Sequence, residues 1–343
     1  MLHFISSLFS SADRQAGKPD KDLITRATDR VVDATDSRLR AFGNYRKRLY
    51  PAIEHAVIHI LGIVDTLPEA VELSSTAYKQ DPRLPAFFVS AKHMQEVIGS
   101  FKAVRDYLRE INSPLPDQIF GTLSMGYEEK NVLGMDLSGE ILRRDVPQVQ
   151  VNFFDHRYVG PSDSEEQSRH ELAIRGFDFL TEKALEQIVT ARSTRSELEQ
   201  QRRLLKRKLD AMRAGNWGLE PMLAEQVVQH PDYASLEKEI NQLDTELQQL
   251  GSRPTDLEKS ITHINDVLGR ATEWLSIREI QMYLDPMLVK KNEASSDERI
   301  SHLQLTEVSA KTGERRIILL GYFPAQELPE QPDFLSEAQR YLR

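Results

Sequence analysis

The sequence predicts an α+β protein with an N-terminal helical region and a mostly antiparallel sheet, and a long antiparallel coiled-coil hairpin inserted between the two halves of the sheet. Three patterns carry this expectation. Apolar residues recur at helical spacing through the first hundred residues. Period-two alternation occurs in two separated blocks, one before residue 160 and one after residue 276. Between these blocks, two heptad runs match each other under a single register.

Residues 1–19 read as an amphipathic foot and a flexible linker. As a helix, Ile5, Leu8 and Phe9 stack on one face, with Leu2 and Phe4 at its margins and Ser6, Ser7 and Ser10 opposite. Gly17 and Pro19 punctuate the linker. Such a foot suits a membrane surface or a partner's groove; the plainer reading is a frayed terminus.

Residues 20–116 read as helical. Pro51 opens a segment whose stripe is Ile53, Ala56, Val57, Ile60, Leu61, Val64 and Leu67, and Pro68 follows its end. Ser90 caps a second helix with the stripe Met94, Val97, Ile98, Phe101, Val104, Leu108 and Ile111, stopped by Pro114 and Pro116. The period then falls to two. Leu133, Met135 and Leu137 alternate up to a turn at Ser138-Gly139, and Val149, Val151 and Phe153 alternate with Gln148, Gln150 and Asn152. The same signal returns in Ile280, Met282 and Leu284 and in Leu303 and Leu305. Thr312-Gly313 then turns the chain into the apolar run Ile317 to Leu320. Residues 117–161 and 277–324 are therefore assigned to one mixed β domain, and 325–343 to a C-terminal tail.

Residues 162–276 are the inserted hairpin. The outgoing arm carries Phe177, Ala184, Ala191, Leu198, Leu205 and Met212. Its second seam is Thr181, Ile188, Arg195, Arg202 and Leu209. The return arm carries Tyr233, Leu236, Ile240, Leu243, Leu247 and Leu250, then Leu257, Ile261, Ile264 and Leu268 after the breakers Gly251 and Pro254. Facing residues in an antiparallel hairpin have numbers of constant total. A total of 445 pairs Leu205 with Ile240, Leu209 with Leu236 and, past the breakers, Ile188 with Leu257. Phe177 to Met212 should span ~53 Å at about 1.5 Å per residue. The tip, 213–232, holds Trp217, Met222 and Val227. It reads as a helical cap on the coil or, if exposed, as a partner-binding knob.

Composition narrows the function classes. The chain has 343 residues, 40% hydrophobic and 28% charged, with a formal net charge of −9 and no cysteine. Disulfides, thiolate metal sites and a cysteine nucleophile are excluded. A broad nucleic-acid surface is disfavoured by the negative balance. No apolar run reaches bilayer length, and the start lacks a basic leader with a cleavage site, so the expected location is cytoplasmic or peripheral to a membrane.

Local candidates for chemistry are few. His55 and His59 stand four apart, the spacing at which two imidazoles on a helix share a metal; packing at a helix interface is the plainer reading. Asp155-His156-Arg157 is expected at a strand exit, where a catalytic group or an ordinary solvated turn would sit. Arg202, Arg203, Lys206, Arg207 and Lys208 form a basic run that suits an acidic ligand, or interhelical pairing with Glu237, Glu239 and Asp244. Arg46, Lys47 and Arg48 could assist the foot at an anionic membrane. No phosphate loop or dinucleotide fingerprint is present, and no cofactor is expected.

The expected function is therefore a non-enzymatic interaction or scaffold protein acting through the coiled-coil arm. Its expected partners are other proteins or a second copy of the chain, with weak contact to anionic membrane through Leu2, Phe4, Ile5, Leu8 and Phe9, and with Trp217 as a protein contact. Two alternatives stand beside it: a metal-dependent hydrolase using His55 and His59, and a nucleic-acid-binding protein using the run at 202–208.

Overall fold

The computed structural model describes residues 19–111, 116–138, 141–213, 233–249, 255–291 and 299–328. The foot residues Leu2, Phe4, Ile5, Leu8 and Phe9, the tip with Trp217, and most of the C-terminal tail lie outside them. The protein is α+β, with a long helix running between two groups of antiparallel strands. The helices are α1 (Lys21–Thr35), α2 (Tyr45–Asp65), α3 (Arg83–Phe87), α4 (Ala91–Ser100), α5 (Lys102–Glu110), α6 (Glu165–Arg213), α7 (Tyr233–Gln249) and α8 (Thr255–Leu268). The strands are β1 (Val71–Glu72), β2 (Gln118–Ser138), β3 (Ile141–Ser162), β4 (Leu275–Leu284), β5 (Ser301–Ala310) and β6 (Arg315–Pro324). Contacts divide the chain into two compact units. Among the described residues, one is built from Val57–Asp178 and those from Ala271 onward, the other from Lys21–Ala56 and Phe179–Arg270.

In the first unit the strands run in the order β3-β2-β6-β5-β4, with β1 added in parallel to β6. The hydrogen-bonded path then returns to its start. After β4 the chain turns at Asp285, with Leu288 at φ +60°, and the Val151 N–H donates to the Leu288 carbonyl at 2.8 Å. The Lys290 N–H donates to the Val149 carbonyl, also at 2.8 Å, so the sheet closes on itself. Closure removes two edges that would otherwise invite pairing with another chain. One face of the sheet shares a core with the helices α3 to α5 through Phe87, Phe88, Met94, Ile98, Leu123, Val151, Tyr158, Leu303 and Phe323. The apolar run in β6 is buried on both faces: Ile317 and Leu319 join that core, while Ile318 and Leu320 pack with Leu67 and Leu172 on the other side.

Four local expectations are corrected. α2 begins at Tyr45 and carries Pro51 inside it, rather than opening there. The helix expected after Ser90 is two helices broken at Phe101, where ψ turns to 130° just after Gly99 and Ser100; Ser90 does cap the first, accepting from the His93 N–H at 3.0 Å. β2 and β3 pair up to Ser138↔Ile141, one residue beyond the expected Ser138-Gly139 turn. Asp155-His156-Arg157 lies inside β3, not at its exit.

In the second unit α1 and the first half of α2 bury Leu23, Ile24, Val31, Val32, Leu49 and Ile53, while α6 and α8 bury Leu180, Ala184, Ile188, Ile261, Ile264 and Leu268. Asp36 ties these elements together. Its carboxylate accepts from Arg38 at 2.9 Å and pairs with Arg192 of α6, which also donates to Ser260 Oγ of α8 at 3.1 Å. Burial of residues 195, 198, 202, 205 and 209 on α6, and of 233, 236, 240, 243 and 247 on α7, follows the three-and-four spacing of a coiled-coil seam.

The register is not single. On α7, Arg202 pairs with Asp244, whose numbers total 446, one from the expected 445. On α8, Arg195 pairs with Asp256 at 3.1 Å and Arg192 reaches Ser260, for totals of 451 and 452. The totals on α8 thus exceed the one on α7 by 5 or 6. A sequence with the breakers Gly251 and Pro254 between two helices does not oblige them to share one register. Cysteine pairs test this in a chain that has none of its own. Leu205→Cys with Ile240→Cys, and Ile188→Cys with Ile264→Cys, should each crosslink within one molecule. Ile188→Cys with Leu257→Cys should not, being displaced by seven residues, ~10 Å. Closure of the last pair alone would restore the single register.

Candidate functional site

A cleft lies where the sheet splits. β6 pairs with β5 only from Ile318↔Thr306 to Arg315↔Ser309. Further along, the same edge of β6 is taken by β1, at Gly321↔Val71 and Tyr322↔Glu72. β5 from Ser301 to Leu305 stays with β4 and diverges from β6. Between them opens a groove of ≈ 490 Å³ lined by Glu72, Gln80, Asp81, Arg83, His302 and Gln304, among others. Asp81 and Arg83 neutralise each other at 2.6 Å, and burial, which would raise the Asp81 pKa, is outweighed by the bonds from Arg83 that lower it. His302 stacks on Tyr283 with ring centroids 4.7 Å apart and planes 10° from parallel.

The tripeptide 155–157 forms a β-bulge. Pairing shifts between Ser124↔Arg157 and Gly126↔Phe154, and Asp155 takes a left-handed φ of 49°. Arg316 holds the bulge, donating to the Asp155 carboxylate at 2.8 Å, to its carbonyl at 2.6 Å and to Ser124 Oγ at 2.8 Å. His156 turns inward against Phe88, with ring centroids 4.9 Å apart, and its Nε2 meets no hydrogen-bond partner. Burial lowers its pKa, so the ring is neutral near pH 7. The tight turn and its arginine clamp account for these residues structurally.

A buried carboxylate escaped the sequence reading. Glu307 is fully buried on the inward face of β5, accepting from Arg278 Nε at 2.6 Å and from the Tyr127 hydroxyl. Burial opposes its charge, but these two donors together hold its pKa below the ordinary value; burial and the neighbouring carboxylate push Tyr127 up. Alternation itself carried the signal: extending Leu303 and Leu305 by two places Glu307 inside, where a carboxylate requires donors.

His59 Nε2 lies 2.7 Å from the Leu275 carbonyl, to which it donates, and His55 is exposed. Among the described residues no three His, Cys, Asp or Glu side chains converge as a metal set. Of the basic run, Arg202 sits on the seam with Asp244, whereas Arg203, Lys206 and Arg207 are exposed and pair with no described carboxylate. No described helix is long and apolar enough to cross a membrane.

Comparison with family models, with curated proteins and with solved structures found no match to this chain.

Proposed function

We propose that the protein is a non-enzymatic interaction protein whose coiled-coil arm binds an acidic helical segment of another protein. The observation that carries this reading is the outward stripe of α6. Val189, Ser193, Ser196, Gln200, Arg203, Leu204 and Arg207 recur at helical spacing on the side away from the seam, and all are exposed. The stripe's own residues include no carboxylate; Glu197 borders it and accepts from the Ser193 hydroxyl at 3.1 Å. Its two apolar members, Val189 and Leu204, are 54% and 58% exposed. The arginines beside Leu204, unpaired among the described residues, supply what an acidic amphipathic helix would recognise: an apolar contact flanked by charge.

Site-specific photocrosslinking in the native host tests it. A benzophenone side chain at Gln200 or Leu204 should yield a discrete heteromeric adduct, and one at the seam position Leu198 should not. Arg203→Glu with Arg207→Glu should abolish the adduct while leaving helix content unchanged. An adduct of twice the chain's mass would instead make the partner a second copy. Adducts unaffected by charge reversal, or equal from Leu198, would remove the stripe as the binding face. If the arm instead bound nucleic acid, affinity would fall steeply with salt, in proportion to the few phosphates four basic residues can neutralise.

A further inference from the structure

The groove at the split in the sheet is walled by main chain that has no partner among the described residues, and we infer that it takes up an extended segment of another polypeptide, hydrogen-bonded to this edge of β5 and carrying a basic side chain opposite Glu72.

The direction of the backbone groups on β5 follows from two bonds at its opposite ends. The Tyr283 carbonyl accepts from the Lys291 N–H at 2.8 Å, so it points away from β5. Its cross-strand neighbour is His302, which makes this a non-hydrogen-bonded pair, and the N–H and C=O of His302 point away from β4. The close stacking of the two rings fits the short spacing of such a pair. At the other end the Ala310 N–H donates to the Glu314 carbonyl across the turn into β6, at 2.9 Å. The β4–β5 register runs without a shift from Leu275↔Ala310 to Leu284↔Ser301, so the even-numbered residues of β5 all face the β6 side. β6 meets them only from Thr306 onward. The main-chain groups of His302 and Gln304 are therefore left facing the groove.

The opposite wall repeats the arrangement. The Leu73 N–H donates to the Tyr322 carbonyl at 2.7 Å, so the N–H and C=O of Glu72, one residue earlier, turn away from β6. Donor–acceptor pairs two residues apart on β5, about 6.8 Å along the strand, match an extended main chain and not a compact ligand. The groove volume of ≈ 490 Å³ falls within the range of ~300–1,000 Å³ usual for ligand clefts. Because Asp81 and Arg83 satisfy each other, Glu72 is left as the lining carboxylate without a described cation, which sets the charge of the guest.

Panning a random heptapeptide phage library on the full chain, with counter-selection on Gln304→Pro, tests this. Proline at 304 removes an N–H that bonds to no described group and leaves the β4 ladder intact. The enriched peptides should contain Lys or Arg among β-branched residues. Their affinity, read by fluorescence anisotropy, should weaken about fivefold to tenfold in Gln304→Pro and in Glu72→Gln, the loss of one hydrogen bond or charge contact. Arg203→Glu with Arg207→Glu on the arm should leave peptide affinity unchanged, which separates this site from the stripe on α6. If Gln304→Pro does not fold by circular dichroism, Glu72→Gln and His302→Pro decide. Absence of any enrichment over the variant, or peptides that bind wild type and all three variants alike, overturns the inference. So does sedimentation showing that this edge pairs with a second copy of the chain.

Discussion

Replacing Tyr158 with alanine should cost the sheet unit about 3–5 kcal/mol, the range for deleting a large buried aromatic. Tyr158 is 1% exposed. Its ring packs over Gly121, where a β-carbon would come within 2.4 Å of it, and edge-on to Phe323 at 5.4 Å. Its hydroxyl lies 2.9 Å from the Gly321 carbonyl and 3.2 Å from that of Ile119, so one proton serves two strands. Tyr158→Phe keeps the ring and should cost only about 1 kcal/mol. Gly121→Ala should destabilise wild type but be better tolerated in the Tyr158→Ala background, because the three atoms nearest the added β-carbon all belong to that side chain; a double-mutant cycle reads the coupling. Amide exchange in β2, β3 and β6 should accelerate in Tyr158→Ala, with amides of α7 unaffected. Equal losses for Phe and Ala would show that the hydroxyl, not the packing, is what counts.

Asp36→Ala should destabilise the arm unit by about 2–4 kcal/mol, since it strands Arg192 beside a buried site; the partial exposure of Arg192 keeps the figure below the upper end for buried pairs. Burial alone would raise the Asp36 pKa, but hydrogen bonds from Arg38 and Arg192 outweigh it and the pKa is lowered. A carboxylate with a folded pKa below its unfolded value, about 3.9, binds fewer protons when folded. Its contribution is therefore present above that pH and is lost as pH falls through the folded value. Urea unfolding followed from pH 7 down to pH 2 should show wild-type stability dropping below about pH 4, and a shallower drop in Asp36→Asn. Parallel pH curves for the two would remove Asp36 as a source of the acid sensitivity.

Much of the fold is legible because its period is strong. The seam of α6 and α7 and the inward residues of β3, β4 and β5 repeat over enough residues that burial follows pattern. What the sequence conceals is short or competitive. β1 has two residues and no period of its own; its place depends on β6 accepting it where β5 leaves. The groove arises from that competition, so no motif announces it. The bulge at Asp155 resets the phase of β3 between Phe153 and Tyr158, which makes a continuous strand look like a strand followed by a turn. The register change between α7 and α8 is invisible to pattern matching because the displacement is close to one heptad, and apolar positions still oppose apolar positions. His55 and His59, conspicuous by spacing, are an exposed side chain and a donor to a carbonyl, respectively.

The insertion of the arm within the sheet has a consequence for biosynthesis. The edge of β2 from Gln118 to Met125 is paired in the finished protein by β6, which begins at Arg315. At roughly 5–20 residues per second, the intervening chain takes about 10–40 s to emerge. Through that interval β2 and β3 can form only a two-stranded ribbon, which is marginal alone, with an open edge and an unfilled apolar face. The helices α3 to α5 precede the ribbon in the chain and share its core, so they are available to cover that face before the arm or the second strand group exists. The N-terminal order of those helices thus gives the nascent sheet a shelter during the long detour of translation through the coiled coil.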